Sequence, residues 1–240
     1  MSKKHARHTP KKAAAASTAQ AGRRKSWLPF ALIGGVLLVA VVAGVWLMRS
    51  QTREVPAAQQ VAAGAPGANP PQAKGRADAP VTIEEFGDYQ CPPCAAIYPE
   101  LEKIMADYGD RVRLVFRHYP LVRIHANALA AAHAAEAAGL QGKFWEMHDQ
   151  LYRGQQSWQK SGDARTAFTA YARTLGLDAE RFAREMNSDG VDTRIVADHA
   201  RARSLGVDST PVIFVNGRKL TALTGKDVRA AVDEALGGKR

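Results

Sequence analysis

The chain has 240 residues, enough for one well-cored domain of about 160 residues plus appendages, or two small domains. Its formal charge is +10, but eight of the basic residues (Lys3, Lys4, Arg7, Lys11, Lys12, Arg23, Arg24, Lys25) fall within residues 1–26, which hold no acid. From Lys74 onward 23 basic residues meet 22 acidic ones, so no basic surface argues for nucleic acid, and none is expected as a partner.

Residues 1–26 read as a basic cytoplasmic tail. Trp27 to Met48 is a run of 22 uncharged residues, about 33 Å long as a helix, against roughly 30 Å of bilayer hydrocarbon. Trp27 and Trp46 lie near its ends, where indoles favour headgroups. With most positive charge ahead of it, this run predicts a single transmembrane helix contacting the lipid bilayer through residues 27–48. The N-terminus is then cytoplasmic, and the rest lies on the periplasmic or extracytoplasmic side of the inner membrane. A retained anchor is preferred to a cleaved signal peptide because the run is long and lacks a small-x-small site. Residues 49–73, with Pro56, Pro66, Pro70 and Pro71, read as a flexible linker that cannot bury a core.

Residues 74–240 carry the folding pattern. Val81–Phe86 alternates as a strand, and Ile97, Leu101, Ile104 and Met105 give a helix over about 94–108. Val112, Leu114 and Phe116 mark a second strand, so the unit is a right-handed parallel β-α-β. A helical stretch, about 121–206, follows Pro120. It has an Ala-rich helix ending at Gly139, a Phe144/Met147/His148/Leu151 face and a Phe168/Tyr171/Ala172/Leu175 face. The helical pattern from Phe182 to Leu205 breaks around Asn187–Gly190. Val212–Val215 is again a strand, Asn216-Gly217 is a hairpin turn, and a last strand is expected around Lys219–Ala222. Val228, Ala231, Val232 and Ala235 stripe a final helix.

The only two cysteines are Cys91 and Cys94, in Cys-Pro-Pro-Cys at a strand-to-helix junction. A thiol at a helix start meets unpaired N–H groups and the positive end of the helix dipole, both of which favour thiolate. Cys91 is therefore expected to exchange with substrate through a mixed disulfide that Cys94 resolves. A bridge closing so small a loop stabilises a fold only modestly, so its purpose is chemical. Half a zinc site is the competing reading, but no second cysteine pair or matching histidine spacing exists, and neither metal nor cofactor is expected.

Phe86-Gly-Asp-Tyr-Gln-Cys-Pro-Pro-Cys94, the strand Val112–Phe116 and Thr210-Pro211 ahead of Val212–Val215 resemble the thioredoxin fold. The helical block between its halves, including Gly142-Lys-Phe-Trp-Glu-Met-His-Asp149, resembles that of the DsbA-like, membrane-anchored disulfide oxidoreductases. The resemblance implies an α/β thioredoxin-like fold with an inserted helical domain, here preceded by the single transmembrane helix. It implies protein-disulfide oxidoreductase activity on exported proteins with cysteines, and a membrane redox partner: a quinone-linked oxidase or a reductant carrier. By position it makes Thr210-Pro211 a cis-proline loop facing the redox pair. It makes Pro99 a helix-kinking proline, and Glu85 a buried acid that shuttles the Cys94 proton.

Two positions depart from the strongly oxidising relatives. Pro93 replaces their histidine, and Pro92 and Pro93 together remove two helix-start donors, leaving those of Cys94 and Ala95 for a Cys91 thiolate. Thr210 stands where the main oxidases carry valine. Disulfide donation at an intermediate potential is the leading expectation. A reductase or isomerase, or a tethered chaperone or copper carrier, stays open. Asp88 and Tyr89 are candidates to line the substrate surface, whereas His118 and the Phe144/Trp145/His148/Tyr152 stripe read as structural.

Overall fold

In the computed structural model, residues 65–237 are described. The expected basic tail, the 27–48 span with its lipid contact and residues 49–64 of the linker lie outside them. The sheet has five strands in the order β1-β3-β2-β4-β5: β1 (Gln72–Lys74), β2 (Val81–Gly87), β3 (Val112–His118), β4 (Val212–Val215) and β5 (Arg218–Lys219). β2 runs parallel to β3 and antiparallel to β4, so Glu85 lies opposite both Phe116 and Ile213 at the sheet's centre.

Helix α1 (Pro92–Tyr108) makes the parallel crossover and contains Pro99, and Gly109 follows it with φ +54°. Its Ile97, Leu101 and Ile104 pack with Val81, Ile83, Val112, Leu114, Ile213 and Val215. Val228, Ala231 and Val232 of α8 (Gly225–Ala235) complete that layer. Ala235, expected on the same stripe, is exposed. On the other face Phe86, Val212 and Phe214 meet Ala202 of α7 (Asp189–Ser204), with the Phe86 and Phe214 rings edge to face at 5.8 Å.

Between β3 and β4 come α2 (Ala128–Gly139), α3 (Phe144–Arg153), α4 (Gln155–Trp158), α5 (Ala164–Thr174), α6 (Ala179–Glu185) and α7. A mostly alanine face lets α2 sit close to its neighbours, and Trp158, Phe168 and Phe182 fill the space between helices. The expected break near 187–190 is the Ser188 N-cap of α7, whose hydroxyl accepts from the Val191 N–H. Asn216 and Gly217 both have positive φ, as a tight two-residue hairpin requires.

Two expectations change. β5 covers only Arg218–Lys219, because after the Leu220 N–H bonds Ile213 O the chain turns toward the Thr224/Asp227 capping box of α8. Residues 65–73, expected to belong to a linker, are part of the fold. β1 pairs antiparallel with β3, Ala68 is buried, and Arg117 Nη1 donates to Ala68 O at 2.8 Å. The partners of this stretch are backbone and charged side chains, which leave no apolar periodicity to read.

Candidate functional site

Cys91 is the N-cap of α1, with Pro92 and Pro93 at the first two helical positions and Cys94 at the third. Cys91 is 4% exposed and Cys94 fully buried, so Cys91 is the more exposed of the two cysteines. Both are free thiols in this structure. The Cys91 thiolate is favoured first by the Cys94 thiol, then by Thr210 and the Cys94 N–H. Against burial and the Asp88 charge, these lower its pKa to about 6. The prolines thus leave one backbone donor for the sulfur rather than two, because the Ala95 N–H bonds Cys91 O at 3.1 Å. Burial, the Cys91 contact and the Glu85 charge push the Cys94 thiol well up.

The Thr210–Pro211 peptide is cis and faces the pair, with the Cys91 thiol 3.5 Å from Thr210 O. Glu85 alternates onto the α1 side of β2, the face shared with Ile83, and is 1% exposed. Its Oε1 has no hydrogen-bond partner, and burial, reinforced by Cys91, raises its pKa to about 8. Glu84 faces the other way and is held by Arg117 Nε at 2.9 Å and Arg201 Nε at 2.7 Å. One strand therefore carries a paired, ionised acid beside an unpaired, neutral one.

Asp88 and Tyr89 do not line a surface, as the sequence had suggested; both are buried. Asp88 accepts from Gln90 N, Leu121 N and His125 Nδ1, which pins the loop before Cys91 to the start of the insertion. Tyr89 stacks on Phe116 at 5.1 Å. Burial keeps His148 neutral, and its Nδ1 and the Tyr89 hydroxyl share a hydrogen bond at 3.0 Å. His118 is a buried structural partner of Glu136 at 3.0 Å. Phe144, His148 and Tyr152 are core residues, and Trp145 is partly buried against them. Gln155 escaped the sequence reading: its amide reaches the redox loop from α4, and no periodicity or motif marks it.

The thioredoxin family model matches residues 69–234. A thioredoxin-like oxidoreductase from Silicibacter pomeroyi DSS-3 is 32% identical, with TM-score 0.59, covering 69% of this chain and 92% of that one. BdbD from Bacillus subtilis shares the fold at 23% identity and TM-score 0.61, covering 69% and 92%. The Na(+)/H(+) antiporter NhaA 1 of Mycolicibacterium gilvum is 38% identical over 148 residues, which is 61% of this chain and 23% of the relative. The chain spans about a quarter of the length of the curated relatives it matches.

Those relatives overturn the expected placement as a single-pass inner-membrane protein with a cytoplasmic N-terminus and a periplasmic catalytic domain. They are named for a multi-span membrane transporter. Among the described residues no helix is long and apolar enough to cross a membrane. The family model and the thioredoxin-like oxidoreductase from Silicibacter pomeroyi agree with the buried thiol pair at a helix start: this chain belongs to the thioredoxin family.

Proposed function

We propose that Cys91 and Cys94 are the redox couple and that the enzyme donates disulfides to proteins presenting cysteine pairs. The observation that carries this reading is the asymmetry of the two thiols. Cys91 is a thiolate at neutral pH, whereas Cys94 is held protonated. A stabilised thiolate stabilises the reduced form, and a couple with a stable reduced form is oxidising.

In the forward direction a substrate thiolate attacks Cys91 Sγ of the oxidised enzyme. The S–S bond breaks, and its electron pair leaves on Cys94. The raised pKa of Cys94 makes it a poor leaving group unless it is protonated as it departs. Glu85, neutral below about pH 8, is the proton donor. A second substrate thiolate then attacks the substrate sulfur of the mixed disulfide. Cys91 departs readily as a thiolate, leaving the substrate oxidised and the enzyme as a dithiol. Thr210 O and the cis-Pro211 loop offer backbone to the substrate peptide beside Cys91. A quinone-linked oxidase would recover the disulfide. A reductant carrier takes its place if electrons flow the other way, a direction that Thr210 favours by position.

The test is the reduction potential of the full chain in graded glutathione buffers. Disulfide donation predicts a value between about −120 and −180 mV, while a value near −270 mV would make the enzyme a reductant.

A further inference from the structure

Seven hydrogen bonds involving a side chain hold the loop Gly87–Cys91 to the helical insertion, and two of them come from one residue. Gln155 is 5% exposed and stands at the start of the four-residue helix α4. Its Nε2 donates to Tyr89 O at 2.8 Å and to Cys91 O at 3.1 Å. The neighbouring bonds are longer-range supports. Asn127 N donates to Gln90 Oε1 at 2.6 Å, and Gln90 Nε2 donates to Gln159 O at 2.7 Å. Of the insertion's hydrogen bonds to this loop, only that of Gln155 reaches the backbone of the cysteine itself.

We infer that Gln155 is a positioning residue for the thiol exchange: its amide fixes the Cys91 carbonyl and so holds Cys91 Sγ where the Cys94 N–H and the Thr210 loop meet it. The inference rests on the reading of Cys91 and Cys94 as the redox couple. The two carbonyl oxygens are the negative ends of peptide dipoles, and they belong to Cys91 itself and to the residue two before it, on the short stretch of backbone that carries the sulfur. With the amide in place both oxygens are satisfied and drawn toward the insertion. Without it they are buried acceptors with one bond fewer, free to tilt toward the sulfur, and the thiolate loses stability. Pro92 and Pro93 sharpen this dependence, because they leave the Cys94 N–H as the single backbone donor to the sulfur, and its aim depends on the Cys91 backbone.

The experiment uses the reduced full chain and follows thiolate absorbance at 240 nm from pH 4 to 9. Unfolding midpoints are recorded alongside. Gln155→Met keeps the volume and removes both donors, and it should move the Cys91 inflection from about 6 upward by about one pH unit. Alkylation by iodoacetamide at pH 6 should slow several-fold. Gln155→Asn keeps an amide too short to reach both carbonyls and should shift the inflection in the same direction, which covers the case of a poorly folded Met variant. Phe182→Leu loosens the insertion at α6, from which no hydrogen bond reaches the loop, and should lower the midpoint without moving the inflection. The inference is overturned if the Gln155 variants lose stability with an unmoved inflection, or if Phe182→Leu moves it equally. A wild-type chain with no inflection below pH 8 would instead sink the redox reading itself, whatever Gln155 does.

Discussion

Glu85 and Cys91 impose opposite pH dependences on the stability of the reduced enzyme. Glu85 has a folded pKa near 8 against 4.5 unfolded, so the stability present below pH 4.5 is lost as pH rises toward 8. Cys91 has a folded pKa near 6 against 9.0 unfolded, so it contributes fully above pH 9 and loses that contribution as pH falls toward 6. Between about pH 6 and 8 the two slopes offset each other. Glu85→Leu should therefore stabilise the reduced chain by about 3 kcal/mol at pH 7. It should also convert a nearly flat urea-denaturation profile over that window into one rising with pH. On the proposed mechanism the same variant should slow disulfide donation, because Cys94 would depart without a proton donor. The position of Glu85 was legible in the sequence, since alternation along β2 had to turn either Glu84 or Glu85 toward α1. That Glu84 would also be largely covered was not legible, because Arg117 and Arg201 reach it from β3 and α7.

Elements with their own periodicity could be read directly: β2, β3, β4, α1 and the apolar faces of α3 and α5 lie where their spacing puts them. Elements defined by a neighbour could not. β1 reads Gln-Ala-Lys and is a strand only because β3 offers it an open edge; α4 is a single turn fixed by Trp158, whose Nε1 donates to Leu151 O at 2.9 Å. The end of β2 shows the same dependence. A Cβ on Gly87 would come within 2.5 Å of the Phe116 ring and 3.0 Å of the Tyr152 hydroxyl, so glycine is needed there for close approach. Gly87→Ala should cost about 1–3 kcal/mol by overpacking. A lowered thermal midpoint, with the Cys91 inflection displaced because the strand leads directly into the redox loop, would confirm it.

Across the molecule, one buried carboxylate ties three stretches together. Asp198 of α7 accepts from Ala68 N at 2.8 Å, Arg117 Nη1 at 2.9 Å and His118 N at 3.1 Å. Removing it leaves Arg117 with Glu84 as its one carboxylate partner and the Ala68 and His118 N–H groups without their acceptor, so Asp198→Ala should destabilise by about 3 kcal/mol. An Asp198→Leu/Arg117→Met pair should recover much of that loss in denaturant titrations. No sequence pattern announces this network, whose members lie up to 130 positions apart.

The central strand also dictates an order of assembly. Glu85 meets Phe116 31 positions later but Ile213 only 128 positions later. Each doubling of a closed loop costs roughly 0.6 kcal/mol of chain entropy, and local helices form faster than distant strand pairings. The insertion therefore gathers before β4 docks, and its collapse brings the ends of the long loop together. Gln155 is then expected to arrive with the insertion and Thr210 with β4, so the surroundings of Cys91 would be completed last. Until then the thiol pair lacks the environment that makes it reactive, and a half-folded enzyme is a poor thiol reagent toward its own neighbours.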